Sequence, residues 1–227
     1  ISIPREENPF LGYREVRISL AEPALFKAQL RAGLRASAFG PLKIMFPMVS
    51  GPNEMRRILE VLDDARAELD DEGVEYDRTM ELGVMVEVPS AVFMAEELLR
   101  DVDFMSIGTN DLTQYLLAAD RMNQNISEYY QSYHPALFRS IARVVDAAHA
   151  RGKWVGLCGE LGGMPLAIPL LIGLGIDELS MSAQSLPEAI HVIRHTSYQS
   201  AQEIADMVLS MDEEAHIKAL LQRVQIN

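Results

Sequence analysis

The chain contains a single cysteine and comparatively few basic residues. Its 227 residues include 20 Lys and Arg against 33 Asp and Glu, which gives a formal net charge of −13 at pH 7. This shortage of positive charge argues against nucleic-acid or anionic-membrane binding, because such surfaces need clustered Lys and Arg. Cys158 has no partner for an internal disulfide, and zinc sites built on cysteine pairs are excluded. The cysteine content therefore predicts a cytoplasmic protein.

Long apolar runs and Gly-rich nucleotide-binding motifs are absent as well. No run approaches the roughly 18 residues of a membrane-spanning helix, and residues 1–5 lack the basic-then-apolar pattern of a signal peptide. No dinucleotide-binding or phosphate-loop fingerprint follows a predicted strand. Because no linker, low-complexity segment or repeat divides the sequence, we predict a single domain over residues 1–227.

Short apolar runs alternate with stretches in which apolar residues recur every three or four positions, which predicts βα units around a parallel sheet. The predicted strands are 42–47, 82–87, 102–108, 153–158 and 177–182. The predicted helices are 54–71, 91–99, 112–119, 135–150, 165–171, 187–195, 201–210 and 213–224, preceded by one or two helices within 12–38, interrupted near Pro23.

Most predicted strands end in a short cluster of polar, Gly or Pro residues. Such clusters are typical of the carboxyl-terminal rim of a (β/α)₈ barrel, where the active site lies, although an open doubly wound sheet also binds ligands at its strand ends. The absence of a Gly-rich fingerprint favours the α/β barrel. Since a barrel needs eight strands, we expect about three further βα units on the amino-terminal side.

Residues 106–115 run from an apolar strand through a Gly-containing turn into a helix. The backbone amides at that helix start could bind an anionic oxygen, and Asp111 would lie beside it with a divalent cation between the two. The alternative is an ordinary helix cap formed by Asn110 or Asp111.

Glu87 follows the apolar run 84–86 on the preceding predicted strand. An acidic residue is costly to bury unpaired, so Glu87 should meet a cation or a basic side chain. Glu87 and Asp111 together suit magnesium, which is commonly held by few carboxylates and by substrate oxygens. A structural salt bridge of Glu87 with a Lys or Arg is the alternative.

Three further side chains are candidates for the same rim. Arg14 lies among turn residues and Arg121 follows the short helix after Asp111; a guanidinium binds phosphate or carboxylate through paired hydrogen bonds. An isolated arginine is more often a solvated surface residue. Cys158 ends the fourth predicted strand, where its thiol could exchange a proton with a reacting carbon, although a lone cysteine in an apolar strand is more often core filling.

At these residues the sequence resembles the phosphoenolpyruvate (PEP)-binding carboxyl-terminal domain of the enzyme I family, the PEP-protein phosphotransferases of bacterial sugar uptake. The similarity extends over nearly the whole chain. The segments that carry it are 7–14, 44–48, 83–89, 106–115, 119–121 and 157–160.

This resemblance implies a (β/α)₈ TIM barrel of the PEP/pyruvate-binding type, here without its first three strands, and a transferase that binds PEP and Mg²⁺. Glu87 and Asp111 match the magnesium ligands of the family, while Arg14, Asn110, Asp111 and Arg121 lie in its substrate-binding segments. Cys158 matches the acid that protonates the enolate to give pyruvate.

The implied partners are a phosphohistidine domain of the same protein, through it the carrier protein HPr, and a second copy in a homodimer. None of the five histidines lies in the family's acceptor context, and two further phosphate-binding arginines of the family lie upstream of Ile1. We therefore expect residues 1–227 to be inactive alone. The alternatives are an enzyme of the pyruvate phosphate dikinase or PEP synthase type and a non-catalytic dimerisation or ligand-sensing module.

Overall fold

A five-stranded parallel sheet organises the fold in the computed structural model, which describes residues 5–225. The strands are β1 (Ile44–Phe46), β2 (Leu82–Val86), β3 (Phe104–Gly108), β4 (Trp154–Cys158) and β5 (Glu178–Leu179). They lie side by side in chain order, and every neighbouring pair is parallel. A doubly wound sheet reverses its strand order at a switch point, whereas a barrel does not. The order within the described residues is that of five consecutive barrel units, which confirms the predicted α/β barrel architecture.

Helices connect the strands and cover the outer face of the sheet. They are α1 (Val16–Ala21), α2 (Pro23–Ser37), α3 (Pro52–Asp71), α4 (Pro89–Phe93), α5 (Ala95–Leu98), α6 (Thr109–Leu117), α7 (Pro135–His149), α8 (Ile168–Gly173), α9 (Leu186–His195), α10 (Tyr198–Leu209) and α11 (Glu214–Gln225). Several begin with a proline, which has no N–H to leave unpaired in a first turn. None of the helices among residues 5–225 is long and apolar enough to cross a membrane.

Several predicted elements differ in their bounds from those observed, among them the following three. The predicted helix 91–99 is split at Met94, whose backbone (φ −102°, ψ 18°) leaves the helical region between α4 and α5. The predicted helix 165–171 begins only at Ile168, because Pro169 favours a helix start there. Strand β5 is limited to two residues, although Ser180 N still donates to Leu157 O at 2.9 Å.

The core lies between the sheet and these helices. Strand β3, which has a neighbouring strand on each side, is buried along its whole length. Helix α7 contributes Leu137, Phe138, Ile141 and Val144, which recur at helical spacing and are almost fully buried. This packing fixes the carboxyl ends of β2, β3 and β4 at one edge of the sheet.

Candidate active site

The strand register brings the predicted site residues together. Val86 pairs with Ile107, so Glu87 follows β2 beside Gly108, and Gly108 pairs with Cys158. A Cβ added at Gly108 would lie 2.9 Å from Glu87 Oε2. Glycine at this position therefore lets the Glu87 carboxylate lie against the end of β3.

Glu87 is buried, with only 4% of its surface exposed. Its Oε1 accepts a hydrogen bond from the backbone N of Met48 at 2.7 Å. Burial is the main cause that raises the pKa of Glu87 to about 7, and the nearby Asp111 charge raises it further. No ion pair to Glu87 forms among residues 5–225, so the salt-bridge interpretation is wrong.

Asp111 is 8% exposed and is contacted by both predicted arginines. Arg14 Nη1 lies 3.4 Å from Asp111 Oδ1 and Arg14 Nη2 lies 3.3 Å from Oδ2, a paired arrangement. Arg121 Nη2 is 3.8 Å from Oδ1. Because Asn110 and Asp111 both lie inside α6, with Gly108 at its N-cap, the helix-cap interpretation is wrong.

An aromatic side chain lies between the two arginines. The guanidinium carbons of Arg14 and Arg121 are 5.6 Å and 5.7 Å from the centre of the Phe10 ring. Tyr115 Oη donates to the backbone O of Phe10 and accepts from Arg14 Nη1 at 3.3 Å. These contacts fix the loop before α1 against α6, so neither arginine is an isolated surface residue.

Asn110 connects α6 to the two loops on either side of it. Its backbone O accepts from Tyr130 Oη at 3.1 Å, and its Oδ1 accepts from the backbone N of Glu160 at 3.3 Å. The residue between β4 and Glu160, Gly159, has φ +119°, and a Cβ there would lie 2.4 Å from Thr109 Oγ1. Glycine is thus required for the close approach of these loops.

The Cys158 thiol is half-buried at the end of β4. Ser106 Oγ donates to its Sγ at 3.5 Å, and the thiol donates to Ile107 O at 3.6 Å. Burial raises the pKa of Cys158, partly opposed by the hydrogen bond from Ser106. The thiol is therefore protonated at neutral pH, next to the carboxyl edge where Glu87 and Asp111 lie.

Five residues of the site had no predicted role. Phe10 and Tyr115 lie inside segments that carry the resemblance, but their contacts depend on two elements 105 residues apart. Ser106 interrupts an apolar strand, and this was the one local signal available. The roles of Met48 and Gln114 depend on backbone geometry, which the sequence pattern does not reveal.

The donor chemistry of the site fits a magnesium ion. Glu87 and Asp111 offer carboxylate oxygens, and two carboxylates with substrate oxygens form a common magnesium environment. Residues 5–225 contain no group of three or more His, Cys, Asp and Glu placed to hold a metal. Any cation held by Glu87 and Asp111 would take its remaining ligands from substrate and water.

Comparison with known proteins identifies the class. Residues 1–198 match the family described as the PEP-binding domain of PEP-utilising enzymes, and the chain belongs to this family. Its curated relatives include the phosphoenolpyruvate-protein phosphotransferases of Staphylococcus carnosus (50% identical over 206 residues, 91% of this chain and 36% of the relative) and Haemophilus influenzae (49% over 222 residues, 98% and 39%). That of Bacillus subtilis is 47% identical over 221 residues (97% and 39%). These relatives confirm the resemblance to enzyme I.

The chain spans somewhat more than a third of the length of these relatives. Among solved structures, a citrate lyase from Burkholderia xenovorans is similar with a TM-score of 0.58 and 16% identity, over 89% of this chain and 69% of that one. At this identity the similarity concerns the fold alone, and it agrees with the barrel-type arrangement.

Proposed function

We propose that this chain is the PEP- and magnesium-binding part of a PEP-protein phosphotransferase. The observation that carries the proposal is the arrangement at the carboxyl edge of the sheet. Two carboxylates, Glu87 and Asp111, lie beside two arginines, with the Cys158 thiol at the end of the adjacent strand. Family membership and the names of the relatives support the same substrate class.

The arginines bind the anionic groups of the substrate. In a chain of net charge −13, Arg14 and Arg121 supply the local positive charge that phosphate and carboxylate require. Both guanidinium groups contact Asp111 in the structure. Binding of the substrate anion by the arginines would leave Asp111 free to act as a cation ligand.

Glu87 and Asp111 are the residues that would hold Mg²⁺. When bound, the ion would neutralise charge on the phosphoryl group, which is the main requirement for catalysing phosphoryl transfer. The backbone N of Met48 holds the Glu87 carboxylate in place, and the α6 backbone fixes Asp111. Asn110, at the start of α6, would contribute to phosphate binding through its backbone and side chain.

The reaction has two bond changes on the substrate. The bond between phosphorus and the enol oxygen of PEP breaks as the phosphoryl group bonds to a histidine nitrogen, and the electron pair stays on the enolate. Cys158 then gives its proton to the methylene carbon of the enolate, which becomes the methyl group of pyruvate. The thiolate regains a proton from water. A half-buried thiol with a raised pKa has its proton available for this step.

The remaining partners follow from the same proposal. The acceptor histidine would belong to another domain of the same protein, which would pass the phosphoryl group to HPr for sugar uptake. We also propose a homodimer in the cytoplasm, because closed dimers are the commonest soluble oligomers and the single cysteine suits a reducing compartment.

The experiment is a calorimetric titration of PEP into the complete natural protein with and without Mg²⁺. We expect Glu87→Gln and Asp111→Asn to weaken magnesium-dependent binding by about 100-fold or more, because losing even a group that only orients a metal ligand costs about 10–100-fold. Glu87→Gln keeps the side-chain shape and the acceptor for Met48 N, so the Tm should not fall.

The matched control is Glu96→Gln, which removes an exposed carboxylate from α5 and should bind PEP like the wild type. Wild-type affinity in either site variant would overturn the magnesium assignment. Wild-type protein that shows no PEP binding in the presence of Mg²⁺ would overturn the proposed function.

A further inference from the structure

We propose that Gln114 is a positioning residue that sets the location of Arg121 and thereby the affinity for the substrate anion. This inference rests on the proposed function, since it assigns Arg121 to PEP binding. Gln114 is only 4% exposed, and it lies on α6 three residues after Asp111, on the same side of the helix. Among residues 5–225, the Gln114 side chain forms no hydrogen bond with the guanidinium group of Arg14 or of Arg121.

Gln114 holds the segment that carries Arg121 through two groups, its backbone oxygen and its side-chain oxygen. Its backbone O accepts from the N–H of Ala118 and from Ala119 N, the latter at 3.1 Å, which ends α6. Its side-chain Oε1 accepts from the backbone N of Arg121 at 3.1 Å. The same residue thus ends the helix and fixes the backbone of Arg121, three residues after Ala118.

The turn needs such an anchor because its backbone is unfavourable. Ala118 has φ 51° and ψ 37°, a left-handed conformation that residues other than glycine rarely adopt. After this residue, Arg121 Nη2 lies 3.8 Å from Asp111 Oδ1, and the Arg121 guanidinium carbon lies 5.7 Å from the centre of the Phe10 ring. A change of backbone position at Arg121 would move its guanidinium group away from the site.

The orientation of the Gln114 amide is fixed by its chemistry. If the amide were turned over, Nε2 would face the Arg121 N–H and two donors would meet. With Oε1 on Arg121, Nε2 is buried with no hydrogen-bond partner among residues 5–225. Because an unpaired buried donor is destabilising, a residue that only filled space here would be apolar. The presence of an amide here is therefore explained by its oxygen, which accepts the hydrogen bond from Arg121 N.

The test uses steady-state kinetics of the complete natural protein with Gln114→Met, which keeps the side-chain length and removes the acceptor. We expect the KM for PEP to rise about fivefold to tenfold, the usual effect of losing one hydrogen bond, with kcat nearly unchanged. Gln199→Met, at an exposed glutamine on α10, is the matched control and should change neither constant.

A double-mutant cycle separates positioning from a general structural role. If Gln114 acts through Arg121, Gln114→Met should have no further effect on KM in an Arg121→Ala background. Hydrogen exchange adds a readout that needs no substrate: the Arg121 amide should be protected in the wild type and lose protection in Gln114→Met.

Additive effects on KM, a loss confined to kcat, or an unchanged Arg121 amide would each overturn the inference. Failure of the proposed function would be seen in the wild-type protein itself, as absent PEP turnover. The hydrogen-exchange result would still decide whether Gln114 holds Arg121.

Discussion

At the scale of single residues, the site contains two buried carboxylates with different surroundings. Glu87 is buried and forms no ion pair with any residue of the described range 5–225, and Asp111 is nearly as buried but contacts two arginines. An unpaired buried carboxylate is unfavourable, which explains why the pKa of Glu87 is raised to about 7. A divalent cation held by Glu87 and Asp111, as proposed above, would remove this cost.

Cys158 gives the residue-scale prediction. We expect Cys158→Ala in the complete natural protein to retain PEP binding and to reduce turnover by about 10²–10⁴-fold, the usual contribution of a general acid. The reason is that burial raises the pKa of Cys158, which keeps the thiol protonated below that pKa and so able to donate at neutral pH. Calorimetry measures the binding, and coupled pyruvate release measures the turnover.

A second readout isolates the proton step. Exchange of the pyruvate methyl protons for deuterium, followed by NMR in D₂O, needs no phosphoryl transfer and should be lost in the same variant. Gln199→Met, at the exposed glutamine on α10, is the control and should retain exchange. Unchanged turnover in Cys158→Ala would mean that this cysteine only fills space in the core.

At the scale of elements, the close packing of α8 on α10 depends on one glycine. A Cβ at Gly173, the last residue of α8, would lie 1.9 Å from the backbone O of Ala201 and 2.4 Å from its carbonyl carbon. We expect Gly173→Ala to lower the free energy of unfolding by about 3 kcal/mol, since backbone atoms cannot move aside as a side chain can. For a domain of this size the Tm should fall by roughly 6–12 °C.

Thermal unfolding followed by circular dichroism tests this prediction. The control is Gly40→Ala, where no atom lies within 4 Å of the added Cβ, so its Tm should stay close to that of the wild type. Equal Tm values for the two variants would show that α8 and α10 can separate without cost.

Most helices and strands were predictable from the sequence. The elements whose bounds were predicted wrongly are those that leave no periodic pattern of burial. All five strands and the helices with a long amphipathic stripe, such as α3 and α7, were found because burial imposes a clear period. The break at Met94 and the shortness of β5 arise from local backbone geometry and one-sided pairing, which leave no periodic signal.

The positions of the candidate site residues were also predictable, but the contacts that support them were not. Glu87 and Cys158 lie at strand ends and Asp111 lies in the first turn of α6, and the strand register brings Glu87 and Cys158 to the two sides of Gly108. The supporting contacts were not predictable, because Met48 acts through its backbone and Phe10 through residues distant in sequence. Such contacts exist only once the elements have packed.

At the scale of the whole molecule, charge and shape both limit what these residues can do alone. A net charge of −13 repels a free anionic substrate, and Arg14 and Arg121 oppose this repulsion locally. Within the described residues β1 and β5 are each paired on one side. Beyond β5, the apolar side chains of Leu186, Ile190 and Ile193 on α9 are exposed at helical spacing. Exposed strand edges and apolar patches favour association with further protein.

We therefore expect residues 1–227, expressed alone, to bind PEP with Mg²⁺ more weakly than the complete natural protein. The family resemblance implies further phosphate-binding arginines upstream, and each lost hydrogen bond to a charged group costs about 1.5–3 kcal/mol, or roughly tenfold in affinity or more. Parallel calorimetric titrations of both proteins, with light scattering to exclude aggregated samples, provide the measurement. Equal affinities would mean that Glu87, Asp111 and the two arginines of this chain suffice for substrate recognition, and that other parts of the protein serve only the later transfer steps.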